Sequence, residues 1–182
     1  MRVIGGELRR RTLVAPHGSA TRPSSDRLRE TLFNILGDRV RSRGFLDLYA
    51  GTGAVGIEAW SRGARPVAWV ESDAAALGVL RRNLNALGIA GTSVHAALVP
   101  RALAKVGAGW DFIFLDPPYD DIRAYAGFWS AMAQHPELVS ADATVIIETR
   151  RGAQLGEISS GWRLARQHRV GDTWLNFFGR SL

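Results

Sequence analysis

Cysteine is absent from the 182-residue chain. That excludes disulfides, thiolate metal sites and a cysteine nucleophile, and it suits a cytoplasmic protein. Lysine is nearly absent too: of 23 basic residues, all but Lys105 are arginine. No stretch approaches the ~18 apolar residues of a membrane span. The opening Met1-Arg2-Val3-Ile4-Gly5-Gly6 holds no apolar export segment. Internal repeats and low-complexity tracts are missing as well. A cytoplasmic location, no membrane and no metal are therefore expected, and a monomer is assumed.

What is present is a globular composition, 46% hydrophobic with a mean hydropathy of -0.04. The net charge of +6 is unevenly spread. Residues 1–43 hold ten arginines against four acids, whereas the remaining 139 residues carry thirteen bases and thirteen acids. A genome that prefers arginine explains the residue type but not the asymmetry. The N-terminal quarter is expected to face a polyanion, with Arg9, Arg10, Arg11, Arg22, Arg27 and Arg29 as candidate phosphate contacts.

Along the chain, 2–6 and 11–14 read as two short strands of a basic hairpin. A loop from Pro16 to Pro23 follows, then a helix from Ser24 to Leu36 capped by Ser24-Ser25-Asp26. Leu28, Leu32, Ile35 and Leu36 share its apolar face, with Arg27, Arg29 and Glu30 falling mostly elsewhere. Buried strands are expected at Phe45–Tyr49, Val67–Val70, 111–115 and Ala143–Glu148, with a weak third strand within Ser93–Val99. Helices are expected at Val55–Arg62, Asp73–Leu87, Ala102–Val106 and Ile122–Gln134. A hairpin of Trp162–Arg169 and Thr173–Phe178 closes the chain. The alternation predicts an α/β fold, a doubly wound, mostly parallel sheet with an antiparallel strand near one edge. Two regions are expected: a basic N-terminal hairpin and helix, 1–43, and a catalytic domain, 44–182.

Two stretches carry chemistry. Asp47-Leu48-Tyr49-Ala50-Gly51-Thr52-Gly53-Ala54-Val55-Gly56 is a glycine-rich strand-to-helix turn, and Glu71 ends the next strand 20 residues after Gly51. Glycines let a ligand approach the backbone, and Glu71 can accept from both hydroxyls of a ribose. The pattern alone also fits a nicotinamide-dependent oxidoreductase. Asp47 argues otherwise, because a negative charge inside the strand helps no pyrophosphate but suits a cation such as the amino group of a methionine moiety.

The second stretch is Phe112-Ile113-Phe114-Leu115-Asp116-Pro117-Pro118-Tyr119. The apolar run is a buried strand, and the two prolines forbid its continuation. Asp116 is driven into an extended or turn conformation by the proline after it. A carboxylate, the Pro117 carbonyl, a rigid Pro118 and an aromatic ring thus stand at the carboxyl end of a buried strand, where α/β sheets bind ligands. Such a loop can grip the exocyclic amine of any nucleobase, so adenine-N6, cytosine-N4 and guanine-N2 chemistry remain open at this point, as does a non-catalytic RNA-binding module.

Asp47–Gly56, Glu71-Ser72-Asp73 and Asp116–Tyr119 together resemble S-adenosylmethionine-dependent amino-group methyltransferases. Arg2–Gly6, Arg22–Asn34 and Gly171-Asp172-Thr173 narrow the resemblance to the RsmD-type 16S ribosomal RNA guanine-N2 methyltransferases. The resemblance implies a Rossmann-like class I methyltransferase fold with a seven-stranded sheet. It implies S-adenosyl-L-methionine as cofactor and 16S rRNA or a small-subunit assembly particle as partner. Asp47, Tyr49, Gly51, Gly53, Gly56, Glu71 and Ser72 are the implied cofactor contacts. Asp116, Pro117, Pro118 and Tyr119 are the implied reacting loop, with Tyr119 stacked on the base. One departure stands out: the acid often found after the third strand is absent, so Ala97 and Leu98 are expected to hold adenine by backbone and apolar contact. His95 is expected to be a partly exposed strand residue, and Trp110, Phe128, Trp129, Phe177 and Phe178 to pack the core.

Overall fold

The computed structural model of the protein describes residues 1–15, 23–118 and 121–181. At its centre is β1, Phe45–Leu48, every residue of which is buried. β2 (Val67–Glu71) and β4 (Trp110–Leu115) flank it in parallel. β3 (Ser93–Ala96) continues beyond β2, and β5 (Val139–Arg150) pairs with β4, also in parallel. The chain then turns back: β7 (Thr173–Arg180) lies antiparallel between β5 and β6 (Trp162–Val170). The order is β3-β2-β1-β4-β5-β7-β6. Strand order reverses between β1 and β4, so the crevice at their carboxyl ends is the topological switch point.

Helices cover both faces. α2 (Ala54–Ser61), α3 (Ala74–Ala86) and α1 (Pro23–Leu36) bury one face around Phe33, Phe45, Trp69, Leu80 and Phe114. Short α4 (Val99–Ala102) and α5 (Ile122–Gln134) bury the other around Leu48, Ile113, Phe128, Trp129 and Phe178. The leucine stripe of α3 (Leu77, Leu80, Leu84 and Leu87) and the five expected core aromatics are buried as expected. Several boundaries shift by a residue or two, and the helix expected at Ala102–Val106 lies earlier, at Val99–Ala102. Val99 opens α4 instead of closing β3, because Pro100 suits a first helical turn and not a ladder. β5 starts at Val139, not Ala143, its first residues joining β4 across an irregularity at Trp110/Phe112.

The N-terminal hairpin is weaker than a two-strand ladder, with a single bridge, Arg2 to Thr12. Val3 N still donates across it to the Arg11 carbonyl at 2.9 Å and Leu13 N to the Met1 carbonyl at 3.0 Å, but other N–H groups of the first arm and the turn go elsewhere. Ile4 and Gly5 both donate to the Glu58 carboxylate at 2.8 Å, and Leu8 donates to Ser61 Oγ at 2.9 Å. Gly6 takes φ 76°, and a Cβ there would come within 1.8 Å of the Ser61 carbonyl oxygen. Glu58, fully buried on α2, also accepts from Arg62 Nε at 2.8 Å and Arg29 Nη1 at 3.4 Å. Four donors thus fill the roughly four acceptor positions of one carboxylate, and Val3 and Leu13 join the same core as β1.

One candidate RNA contact is thereby corrected. Arg29 is 2% exposed, with its guanidinium on Glu58, on Asp26 Oδ1 at 2.6 Å and on the Arg2 carbonyl at 3.0 Å. It lies three and four residues before Leu32 and Phe33, which puts it on the buried face of α1. A guanidinium so enclosed braces the fold and reaches no phosphate.

Candidate active site

The register of β1 and β4 sets the site. Asp47 pairs with Phe114 and Leu48 with Leu115, so Asp116 leaves β4 level with Tyr49 leaving β1. Asp47 is 1% exposed, and its Oδ2 accepts the Gly56 N–H at 2.8 Å, which ties the strand to the first turn of α2. Its Oδ1 has no partner among the described residues. Burial pushes the Asp47 carboxyl well above the usual carboxylate range, against the Gly56 hydrogen bond, and the nearby charges of Asp116 and Glu71 push the same way as burial.

Asp116 makes no hydrogen bond or ion pair within the described residues. Its half-buried carboxyl is pushed up to about 7 by desolvation. Pro117 beside it is buried, while Pro118 is exposed. Tyr49 holds the left-handed φ of 59° as the chain leaves β1, and burial, with Asp121 nearby, raises its hydroxyl to about 12. Tyr119 lies outside the described residues.

The three glycines of the loop have different reasons to be glycine. At Gly56 a Cβ would fall 2.3 Å from Trp69 Nε1, and at Gly53 2.1 Å from Leu80. Those two serve helix-to-sheet packing. Gly51 has φ 54° and open space around its would-be Cβ, which is the room a ligand lying on the backbone needs.

Glu71 is more committed than expected. Its Oε2 accepts from Gly51 N at 2.8 Å, and its Oε1 from Ser72 N at 2.7 Å and Asp73 N at 2.8 Å. With three of about four acceptor positions taken, it has room for one ribose hydroxyl, not a chelate of two. Ala97 and Leu98 follow β3 on the same edge. Ala97 N donates to the Glu71 carbonyl at 3.1 Å, and Leu98, 56% exposed, offers an apolar surface where an acid was missing. His95 is partly exposed, as expected.

Asn83 escaped the sequence reading. It is 1% exposed on the apolar side of α3. Its amide nitrogen donates to the Thr52 carbonyl of the glycine turn at 3.0 Å and to the Val14 carbonyl at 3.2 Å, while its oxygen accepts from Val14 N at 2.8 Å. One side chain therefore holds the glycine turn and the N-terminal segment together. The signal was an asparagine among the stripe of leucines on α3.

The arginines divide. Arg9, Arg10 and Arg27 line one groove of about 600 Å³ together with Arg2, which the sequence reading omitted, and with Asp26 and Glu30. Arg11 turns away to the Ala86 carbonyl at the end of α3. Arg22 lies outside the described residues.

A cationic ligand fits this edge. Asp116 and Glu71 both disfavour a negative charge on buried Asp47, and a positive charge beside it relieves that repulsion. Affinity for S-adenosylmethionine is accordingly expected to rise about tenfold from about pH 6 to pH 8, as Asp116 loses its proton unaided. Calorimetric titration at the two pH values tests this; a flat profile would contradict it.

Among known proteins, the ribosomal RNA small subunit methyltransferase D of Escherichia coli K12 is 31% identical over 181 residues, covering all of this chain and 90% of that protein. A solved E. coli structure, yhhF, provisionally named a methyltransferase, superposes with a TM-score of 0.85 at 29% identity, covering 100% of this chain and 98% of that one. A hypothetical protein of Thermus thermophilus gives a TM-score of 0.77 at 32% identity, covering 97% and 98%. The family model described as conserved hypothetical protein 95 matches residues 1–179. The chain belongs to that family, the one that contains the RsmD methyltransferases.

Proposed function

We propose that the protein transfers a methyl group from S-adenosyl-L-methionine to the exocyclic N2 amine of one guanine in 16S rRNA. The observation that carries this reading is the unpartnered Asp116 carboxylate, followed by Pro117, beside Asp47 at the switch point of the sheet. When bound, S-adenosylmethionine supplies a methyl group already activated on a positive sulfur. The residues that would hold it are Asp47 and the backbone at Gly51, with Glu71 for a ribose hydroxyl, Ser72 beside it, and Ala97 and Leu98 for the base. A dinucleotide pyrophosphate would instead meet three carboxylates, which disfavours the oxidoreductase alternative.

The chain's own part is alignment. Guanine N2 is a poor nucleophile because its lone pair is delocalised into the ring. The Asp116 carboxylate and the Pro117 carbonyl would accept its two N–H bonds and turn the lone pair toward the methyl. A carboxyl poised near pH 7 is suited to receive the proton that the amine sheds once the new N–C bond has formed. The base must first leave its stack to reach the loop, and Tyr119 is our candidate for stacking on it. The groove of Arg2, Arg9, Arg10 and Arg27 would hold the RNA backbone, with residues 1–43 acting as the RNA-binding part.

Mass spectrometry of small-subunit rRNA tests the reaction. A strain lacking the protein is expected to lose one N2-methylguanine, restored by the wild-type chain. An unchanged guanine, or loss of a methyl from adenine or cytosine, would overturn the reading. The groove has its own test. Four arginine–phosphate contacts predict that RNA affinity falls about 50- to 150-fold between about 50 and 200 mM salt. A salt-independent affinity would remove RNA from the groove.

A further inference from the structure

On the same sheet edge, two strands from β4, lies a second concavity of about 320 Å³. Its lining includes Thr149 and Arg151 from the end of β5, Gln167 from β6, and Trp174 and Asn176 from β7. Because β5 runs parallel to β4, with Leu115 opposite Ile147, Thr149 stands level with Pro117 of the reacting loop. Trp174 sits directly opposite Thr149, on the face that also carries Ile147 and Asn176. With strands about 4.8 Å apart, β7 lies about 10 Å from β4, a span that one RNA strand crosses within a nucleotide or two of the target.

The floor of this pocket is preorganised. Asn176, 1% exposed, donates to the Ile147 carbonyl at 3.0 Å and to Thr149 Oγ1 at 2.9 Å, and its own oxygen accepts from Gln167 Nε2 at 2.7 Å. That chain fixes Gln167 while leaving its carbonyl oxygen free among the described residues. The Thr149 hydroxyl keeps its proton to donate. Trp174 is half-buried, and Arg151 is exposed with no ion-pair partner among the described residues. An aromatic face, a fixed acceptor, a hydroxyl donor and an unpaired guanidinium are what an unstacked nucleotide needs for its base plane, base edge and phosphate. Nothing in methyl transfer to the amine uses any of them.

We infer that this pocket binds a nucleotide flanking the target guanine, with its base on Trp174, its edge on Gln167 and Thr149, and its phosphate on Arg151. The inference rests on the proposed rRNA methyl transfer and adds where the strand goes after leaving the reacting loop. It also supplies sequence context, which a loop able to grip any exocyclic amine lacks.

The test compares wild type with Trp174→Leu, Trp174→Phe and Arg151→Gln in steady-state methylation of naked 16S rRNA and of small-subunit assembly particles with tritiated S-adenosylmethionine, alongside calorimetric cofactor binding. Trp174→Leu is expected to raise KM for the RNA about tenfold or more with cofactor affinity unchanged, since stacking is lost. Trp174→Phe, which keeps a ring, is expected to retain most of the affinity, and Arg151→Gln to reduce the salt dependence. If Trp174→Leu fails to fold, the other two variants decide. An unchanged KM in Arg151→Gln together with a wild-type salt slope would overturn the inference. So would an equal loss of cofactor affinity, which would make Trp174 a brace of the cofactor side, or an effect confined to assembled particles, which would indicate a protein contact. Failure of the parent reading looks different: wild type would then transfer no methyl to the RNA, while the variants would still lose RNA binding in a filter assay if the pocket holds a nucleotide.

Discussion

Replacing Asp116 by Ala or Asn is expected to lower kcat for methyl transfer at least about 1,000-fold while leaving RNA binding within a few fold of wild type. The carboxylate has no structural partner among the described residues, so its removal breaks no fold contact. In the proposed reaction it is the side-chain acceptor that orients the amine, and asparagine would keep an accepting oxygen but lose both the charge that steadies the developing cation and the site that takes its proton. Single-turnover assays separate this from a slow release step; a kcat within tenfold of wild type would end the assigned role.

The same substitution is expected to stabilise the ligand-free protein at alkaline pH. The Asp116 carboxyl titrates near 7 in the folded chain against a usual 3.8. Between about pH 4 and pH 7 the folded state therefore binds more protons than the unfolded state, and stability falls as pH rises through that window. A tenfold change in proton affinity is worth about 1.4 kcal/mol. With solvent screening discounted at a half-buried group, Asp116→Asn should gain about 2 kcal/mol at pH 8 and nothing at pH 4. Denaturant melts at both pH values measure it, and equal gains at both would show that the buried charge is not the cause. Activity and stability are thus opposed at one side chain.

Glu58→Ala is expected to cause the largest loss of stability, about 3–5 kcal/mol, because it strands a buried guanidinium and two backbone N–H groups at once. For a chain of this size that lowers Tm by about 10 °C. Asp26 still faces Arg29 at 2.6 Å, so part of the charge stays compensated. Hydrogen exchange is expected to accelerate first in residues 1–13, which lose their anchor on α2. A Tm within about 2 °C of wild type would show that the four donors are satisfied equally well by water.

Much of the fold was legible because its determinants are local. The buried runs of β1, β2 and β4, the glycine turn and the double proline each announce themselves within about ten residues. Arg29, Glu58 and Asn83 did not, for a common reason. Each is a polar residue on the buried side of a helix, satisfied by partners far along the chain: Glu58 takes N–H groups 53 and 54 residues away, and Asn83 reaches across 69 to Val14. Periodicity sees the face such a residue occupies but not the partner that makes its burial tolerable. The site divided the same way. Asp47, Asp116 and Glu71 were identified from their positions in and at the ends of strands, whereas the commitment of Glu71 to three backbone N–H groups required the folded turn.

The position of β7 has a consequence for synthesis. β5 pairs on its far side with β7, and β7 is made after β5 with the whole of β6 between them. Until then the nascent chain carries β5 with one row of backbone groups unpaired and its apolar residues uncovered on that side, a template for pairing with another chain. Closure is long-range for β5 and β7 and local for the β6–β7 hairpin. A ribosome stalled between β6 and β7 would therefore leave β5 open along its length, an aggregation-prone form that the residues of β7 close.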